Sequence, residues 1–313
     1  MASEFNPSGI RPIGDPFVLH ASDGKYYMYS TCDFLHEMGF CVWSSTDLKH
    51  WEQHAPCYML NERSFGYKNC WAPEVVEYNG LFIMHYTSRM KSNNGLRIGV
   101  ATSKSPLGPF IDVYDKKPMF DPGYCCIDGD VLIDDDGKKY LYFSHDCDDN
   151  IMPNGDHHSE IYMVELTDDL LAVKGEPKKM FGPTEPYESR PTYFQEGGPA
   201  YRWNEGPFAL KMNGEYYVMY SGNFFATKYY CICVAKSKTP YGPWEKYDKP
   251  LAEYIEGKVH GPGHHSVFTD DKGQMYCAYH VHSDPTKPGS NDRMMFIDKL
   301  DFIDGKFVMK ITY

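Results

Sequence analysis

Short runs of alternating apolar and polar residues, many of them rich in tyrosine, follow tight turns along the 313-residue chain. This period of two is typical of β-strands rather than helices. In residues 127–145, IDGDVLIDDDGKKYLYFSH, an Asp-Gly dipeptide separates two such runs. The dipeptide predicts a hairpin in which both turn residues have positive φ. We therefore expect Asp134, Asp135 and Asp136 to be solvated turn residues, which leaves Asp128, ahead of the run, unexplained.

The same pattern occurs five times. Each copy has a glycine nine residues after its first position, followed by an aromatic-rich run such as YYMYS, and the copies start at Asp15, Trp71, Asp128, Glu205 and His264. Their starts are 56, 57, 77 and 59 residues apart. A fixed internal spacing repeated five times indicates a repeat architecture.

A second element follows the hairpin in several copies. VWSSTDLKHW, VATSKSPLGPF and VAKSKTPYGPW each combine a short strand, a Ser/Pro/Gly turn and an aromatic residue. Each unit then holds about four strands, the content of one propeller blade. The sequence predicts an all-β, five-bladed β-propeller with four antiparallel strands per blade, in a single domain over residues 1–313. The longer third interval predicts loop insertions at one mouth of the central channel.

The fifth unit contains segments for all four of its strands, which we expect near residues 265–269, 274–282, 294–302 and 306–312. The last blade therefore needs no strand from the N-terminus. We expect the ring to close by packing alone.

The first residues of the five copies form a ring if the innermost strands line the channel. Hydration of a channel would explain one or two carboxylates. Three of them, Asp15, Asp128 and Glu205, would raise one another's pKa, which usually marks a functional site. Such a set suits glycosidic cleavage, since one carboxylic acid protonates the leaving oxygen while a carboxylate activates water or attacks the anomeric carbon. Trp71 offers a flat face to a sugar or packs the channel wall.

Composition narrows the classes of function. The net charge of −12 argues against binding to nucleic acid and to anionic membranes, and no apolar run is long enough to span a membrane. Aromatic residues make up 16% of the chain, which suits strands and sugar stacking. The ten cysteines include no CxxC pair, so we expect reduced, buried thiols rather than zinc. Without a signal-like N-terminus, we expect a cytoplasmic protein.

The motifs GDPFV, WAPEV, an Ile-Asp before the third inner strand, NEGPF and GPGHHSVF occur in this order along the chain. Together they resemble glycoside hydrolase family 43, whose members are five-bladed propellers that cleave arabinose- and xylose-containing glycans with inversion. The resemblance implies that Asp15 is the general base and Glu205 the general acid. It also implies that Asp128 tunes and orients the acid.

Further roles follow from the same resemblance. His264 would face a central cation, often calcium, largely through water, or would be a plain hydrogen-bonded channel histidine; no cofactor is needed for the chemistry. Arg293, in NDRMMFIDKLDF, would bind substrate beside the catalytic acids, or would form a surface salt bridge. Phe34 is a further candidate for substrate binding.

Two departures from the family pattern bear on specificity. Gly129 and Asp130 stand where many members have Pro-Ser, and the chain stops at the propeller, without the C-terminal β-sandwich of many β-xylosidases. We therefore expect release of terminal α-L-arabinofuranose from arabinoxylan or arabinan oligosaccharides, with β-D-xylose as a side activity. The alternatives are a non-catalytic glycan-binding propeller and a retaining fructosyl hydrolase or transferase. The sequence leaves the oligomeric state open.

Overall fold

The fold is built almost entirely from β-strands. A computed structural model of the protein describes residues 10–192, 197–284, 289 and 292–313. In these ranges the strands form five consecutive meanders, and the helical content is limited to two short 3₁₀ helices, Asp33–Leu35 and Pro186–Glu188. Neither of the described helices is long and apolar enough to cross a membrane.

Each meander contains at least four antiparallel strands. The first consists of β1 (Ile13–His20), β2 (Tyr26–Cys32), β3 (Gly39–Ser45) and β4 (Glu52–Gln53), with β5 (Tyr58–Met59) also paired to β3. The second consists of β6 (Gly66–Tyr78), β7 (Leu81–Met90), β8 (Leu96–Ser103) and β9 (Ile111–Asp112). The third consists of β10 (Cys126–Ile133), β11 (Lys139–His145), β12 (His157–Leu166) and β13 (Val173–Phe181). The fourth consists of β14 (Tyr201–Met212), β15 (Glu215–Gly222), β16 (Cys231–Ser237) and β17 (Glu245–Lys246), and the fifth of β18 (Gly263–Thr269), β19 (Met275–His282), β20 (Arg293–Ile303) and β21 (Lys306–Met309).

The first strands of the meanders, which we call the inner strands, contact one another in the cyclic order β1, β6, β10, β14, β18 and back to β1. The four strands expected in the fifth unit are present, although the last ends at Met309. Within the described ranges the first and fifth meanders share no strand pairing; they meet through an apolar cluster that includes Met28 and Ala278, and through hydrogen bonds such as the one from the Val18 N–H to Ser266 Oγ at 3.0 Å. One unexpected pairing joins the third and fourth meanders, where β12 runs parallel to the start of β14.

The apolar core lies between neighbouring meanders, which explains the alternation in the sequence. In β15, Tyr217 and Met219 pack in the cluster shared with the fifth meander, whereas Val218 and Tyr220 pack in the cluster shared with the third. Both faces of this strand are therefore buried, one against each neighbour. Full burial of such side chains contributes roughly 1.5–3 kcal/mol each to folding.

Every inner strand has a β-bulge at the same place, where two of its residues face one residue of the second strand. The first bulge residue has positive φ in all five: Asp15 (55°), Ala72 (45°), Asp128 (58°), Gly206 (52°) and His264 (43°). Positive φ is uncommon outside glycine, and bulges re-aim side chains beside functional sites. We call these five residues the bulge positions.

The bulges show that the five residues expected from the glycine spacing to form one ring are not all at equivalent positions. Trp71 and Glu205 precede the bulge positions of their strands by one residue, so they are not equivalent to Asp15, Asp128 and His264. The reason is the hairpin that follows. The second and fourth meanders turn through two residues, Asn-Gly with both φ values positive, whereas the other three use loops one residue longer. The shorter loop brings the glycine one residue closer to the bulge.

The turn at Asp136-Gly137 differs from the expected hairpin in two respects. Only Gly137 has positive φ, and the loop closes through hydrogen bonds between Asp134 and Lys138 and from Gly137 to Asp134. Asp134 is also buried rather than solvated, because its carboxylate accepts hydrogen bonds from Lys211 and from a tyrosine hydroxyl on β15. It is a link between the third and fourth meanders. The ten cysteines are free and buried, as expected.

Candidate active site

A pocket of about 440 Å³ lies where the inner strands approach one another. Six of the seven residues proposed from the sequence line it: Asp15, Trp71, Asp128, Glu205, His264 and Arg293. The seventh, Phe34, is not among the lining residues; its side chain is 41% exposed and packs edge-on against Trp43. The long third interval also reaches the pocket, through Asp146, Cys147 and Asp148 of the loop after β11 and through Tyr201 and Trp203 at the start of β14, although residues 193–196 of that interval lie outside the described residues.

Asp15 is surrounded by hydrogen-bond donors and a cation. Arg293 donates to its Oδ1 at 3.0 Å, and the Thr31 hydroxyl donates to its Oδ2 at 2.6 Å. Gly14 makes room for this arrangement, since a Cβ there would lie 2.0 Å from the Arg293 guanidinium carbon. Burial opposes ionisation, but the Arg293 guanidinium together with His264 and His280 outweighs it and holds the pKa of Asp15 well below its usual range. Asp15 is therefore ionised and can accept a proton.

Asp128 faces the backbone of the next inner strand. Its Oδ2 accepts a hydrogen bond from the Gly206 N–H at 3.1 Å, and its own N–H donates to Thr87 Oγ1 at 3.0 Å. Burial raises the pKa of Asp128 to about 6, although the Gly206 N–H opposes the shift. Because Gly206 follows Glu205, this bond fixes the backbone that carries the third acid.

Glu205 is set among carboxyl groups and one hydroxyl. Ser159 Oγ donates to Glu205 Oε1 at 3.0 Å, and Ser159 is held in turn by the Cys147 N–H at 3.1 Å. Burial raises the pKa of Glu205 well above its usual range, and the nearby carboxyls of Asp146 and Asp128 raise it further. Glu205 therefore retains a proton where Asp15 has lost one. One pocket thus holds an ionised carboxylate and a protonated carboxylic acid.

Comparison with known proteins places the chain in a family. The model described as glycosyl hydrolases family 43 matches residues 6–307. The chain belongs to this family. The crystal structure of a thermostable family-43 glycoside hydrolase superposes with a TM-score of 0.89 at 39% identity, covering 99% of this chain and 96% of that one.

Curated relatives of this family-43 protein carry several activities. A β-D-galactofuranosidase from Aspergillus niger is 28% identical over 271 residues, covering 82% of this chain and 71% of that protein. A xylosidase/arabinosidase from Bacteroides ovatus is 26% identical over 296 residues, covering 86% and 85%. This family-43 chain is therefore a glycoside hydrolase of the group acting on xylan- and arabinan-type substrates.

A ring of hydrogen bonds holds the inner strands of the family-43 chain beside the pocket. The backbone N–H of each of four bulge positions donates to a side chain on the second strand of the preceding meander. The pairs are Ala72 with Thr31, Asp128 with Thr87, His264 with Ser221 and Asp15 with His280. We call these four bonds the latches, and they measure 2.8–3.2 Å.

The fifth position breaks the pattern. Ser144 occupies the matching place on β11, but its buried hydroxyl has no hydrogen-bond partner within the described part of the chain. The N–H of Gly206 donates to Asp128 instead. Between the third and fourth meanders, the acceptor for the bulge N–H is therefore a carboxylate of the pocket instead of a side chain on the second strand.

His264 lies against Asp15, with 3.4 Å between its Nδ1 and Asp15 Oδ1. The described residues include no group of three or more His, Cys, Asp or Glu side chains that could hold a metal ion. An ion near His264 would therefore have to be held mostly through water, as the family resemblance implies, and Ca²⁺ stays a prediction.

The side of the pocket formed by the fourth meander is aromatic. Tyr201 and Trp203 stack with ring centroids 5.9 Å apart, and Phe224 lies 5.1 Å from Trp203. Trp71 also lines the pocket, and it packs on a small cluster that includes Ile127. The two interpretations of Trp71 are thus compatible, since the residue both borders the cavity and packs against the apolar wall.

Sequence reasoning missed two features of the pocket. One is Asp146, a buried lining residue in the loop after β11. The other is a polar chain at the rim, in which Glu37 accepts from Asn69, and Arg89 donates to both Asn69 and Asp148. These residues lie outside the repeated motif. The only available signal was the cluster of aspartates in the inserted segment SHDCDDN.

Proposed function

We propose that the protein is an inverting glycoside hydrolase that releases terminal α-L-arabinofuranose, with β-D-xylose as a side activity, from arabinoxylan or arabinan oligosaccharides. The observation that carries the proposal is the opposite protonation of Asp15 and Glu205 in one pocket. Two carboxyl groups with pKa values pushed apart supply the base and the acid of such a reaction.

In the proposed reaction the ionised carboxylate of Asp15 accepts a proton from water, and the water oxygen bonds to the anomeric carbon. The glycosidic C–O bond breaks as Glu205 gives its proton to the leaving oxygen. Asp128 orients the acid through its hydrogen bond with the Gly206 N–H. The negative charge of Asp128 also makes ionisation of Glu205 less favourable. At the end Asp15 carries a proton and Glu205 is ionised. Asp15 then loses a proton to solvent and Glu205 takes one up, which restores the site.

The choice of sugar rests on the resemblance and on the relatives. One relative's name pairs xylosidase with arabinosidase, and another's specifies a β-D-galactofuranoside, a second five-membered sugar ring. The aromatic side of the pocket offers apolar faces to a sugar, and Arg293 and the rim donors offer partners for hydroxyls. Phe34 stays a predicted contact for the part of a substrate that extends beyond the pocket.

Several structural and cellular predictions accompany this function. We propose that the five meanders are the blades of a five-bladed propeller, supported by the cyclic contacts of the inner strands, and that residues 1–313 form one domain. The free, buried thiols support a reducing compartment such as the cytoplasm. Chelator treatment should modestly lower activity or melting temperature if Ca²⁺ binds near His264.

The function is tested with aryl α-L-arabinofuranoside, β-D-xyloside and β-D-galactofuranoside, alongside arabinoxylan oligosaccharides. We expect the highest kcat/KM on the arabinofuranoside and, in early proton NMR spectra, a first-formed sugar of inverted anomeric configuration. Turnover of the galactofuranoside alone would reassign the substrate. Retained product would favour the fructosyl-transfer class of propeller. Binding of oligosaccharides without turnover, unchanged in Glu205→Gln, would indicate a glycan-binding protein.

A further inference from the structure

Asp146 is a buried carboxyl in the pocket that the proposed reaction leaves without a role. It follows the last residue of β11 and lines the cavity together with Glu205 and Asp128. Its Oδ1 accepts a hydrogen bond from the Asp148 N–H at 2.9 Å, and its Oδ2 accepts none from the described residues. One carboxylate oxygen is thus fixed by the loop while the other is uncommitted.

The loop that carries Asp146 is tied to the acid. The Cys147 N–H, next in the chain, donates to Ser159 Oγ, and that hydroxyl donates to Glu205 Oε1. The Cys147 carbonyl accepts a hydrogen bond from the His157 ring at 2.8 Å. These bonds place the Asp146 backbone in a fixed position relative to the carboxyl of Glu205. The position of Asp146 relative to Glu205 is therefore set by the backbone of this loop.

We propose that Asp146 is a second positioning residue for the general acid, which acts with Asp128 to keep the proton on Glu205 as the pH rises. The inference rests on the proposed function. It assigns to a loop residue of this chain a part of the task that the family resemblance gives to Asp128 alone.

The charges around the site support this role. Besides Glu205 and Asp146, the titratable residues that line the pocket are Asp15, Glu37, Arg89, Asp128, Cys147, Asp148, Tyr201, Tyr230, His264 and Arg293. Arg293 is bonded to Asp15, and Asp148 is paired with Arg89 at the rim, so neither cation is hydrogen-bonded to Glu205. Among the carboxyls that raise the pKa of Glu205, Asp146 acts most strongly and Asp128 comes next. Burial raises the pKa of Asp146 itself to about 7, so its charge grows at the pH where Glu205 must still hold a proton.

The test is the pH profile of kcat/KM for Asp146→Asn, which keeps the shape and the hydrogen bond from Asp148. With an oligosaccharide, whose leaving group needs a proton, we expect the alkaline limb to move down by about one pH unit, because one nearby charge shifts a pKa by about that much or more. At pH 8 the loss should be about tenfold, with little change at pH 5. An aryl glycoside with a good leaving group should show almost no shift.

The controls separate this role from a structural one. Asp146→Glu should restore the limb, and Asp168→Asn, which removes one charge at a side chain that is 90% exposed, should leave it in place. An unchanged limb in Asp146→Asn would overturn the inference, as would equal losses on both substrates at every pH. If the wild-type protein cleaves none of the glycosides, the proposed function fails first, and the two failures are distinguished.

Discussion

Two carboxyl groups of the pocket are chemically similar but have opposite environments. Asp15 and Glu205 are both carboxyls on inner strands, and both border the same cavity. Asp15 accepts hydrogen bonds from a guanidinium and a hydroxyl. Glu205 accepts one from a hydroxyl and is also influenced by the charges of two other carboxyls. The difference shows that the protonation state is set by neighbouring elements and not by the residue type. Most of these neighbours come from other strands and loops.

The largest expected effect comes from removing the groups themselves. Asp15→Asn should lower kcat/KM about 10²–10⁴-fold on every substrate, because it removes the carboxylate to which the proposed mechanism assigns the activation of water. Glu205→Gln should cost as much on oligosaccharides but far less on aryl glycosides with good leaving groups. The check is steady-state kinetics on both substrates, with melting temperature as the control for folding. Equal losses of Glu205→Gln on both would break the assignment of acid and base.

Arg293, the cation bonded to Asp15, provides the next test. In Arg293→Met the pKa of Asp15 should rise, because burial would then act without opposition from the guanidinium. The base would be protonated in mildly acidic solution, so kcat/KM at pH 5 should fall about tenfold or more relative to its value at pH 7.5. Arg293→Lys keeps the charge and should keep more of the activity at pH 5. If the acidic limb of the kcat/KM–pH profile is the same in Arg293→Met as in the wild type, Arg293 does not lower the pKa of Asp15 and this prediction is wrong.

A pair of buried carboxyls that do not line the pocket should also limit stability at high pH. Asp130, on β10, has a pKa raised to about 7 by burial, and its neighbour Glu74 has a raised pKa as well. A carboxyl with a raised pKa binds its proton more tightly in the folded state, so stability falls as the pH rises from about 4 to 7.

Asp130→Asn removes one of these titrations while keeping an oxygen for the Ala209 N–H. We expect it to raise the free energy of unfolding at pH 8 by on the order of 2 kcal/mol relative to wild type and to leave pH 4 nearly unchanged. Urea unfolding at the two pH values measures the difference. A variant destabilised equally at both would show that Asp130 serves packing instead.

The latches give the smallest effect and the sharpest contrast. Ser221→Ala removes a hydroxyl bonded to the His264 N–H and should cost about 1–3 kcal/mol of stability, since a buried donor is left unpaired. Ser144→Ala removes a buried hydroxyl that has no partner in the described chain and should change stability by less than about 1 kcal/mol. Thermal unfolding of the two variants tests the difference. A large loss in Ser144→Ala would mean that this hydroxyl has a partner, such as a bound water.

The sequence predicted the repeats and most of the pocket because both depend on local patterns. Alternation located the strands of each unit, and the motif residues Asp15, Asp128 and Glu205 do line one cavity. The register was wrong by one residue at Trp71 and Glu205, since a glycine marks a turn without giving the length of its loop.

The remaining misses have a different cause. Asp146 and Asp134 each stand in a stretch rich in aspartate, where nothing in the local pattern separates a buried carboxylate from a solvated one. Their burial depends on partners remote in sequence, such as Lys211 for Asp134. Such contacts become visible only when the meanders are placed side by side.

The bulge positions also bear on which side chains reach the pocket. Three of them carry functional or candidate side chains, whereas Ala72 and Gly206 carry almost none. At Gly206 an added Cβ would lie 3.2 Å from the His264 ring, a tight contact that the imidazole would have to relieve by shifting. Ala72 already holds a left-handed backbone with a side chain attached, but that residue is 1% exposed and is not among the residues that line the pocket. The bulges therefore hold side chains in the left-handed conformation at four of the five positions, and three of these side chains reach the pocket.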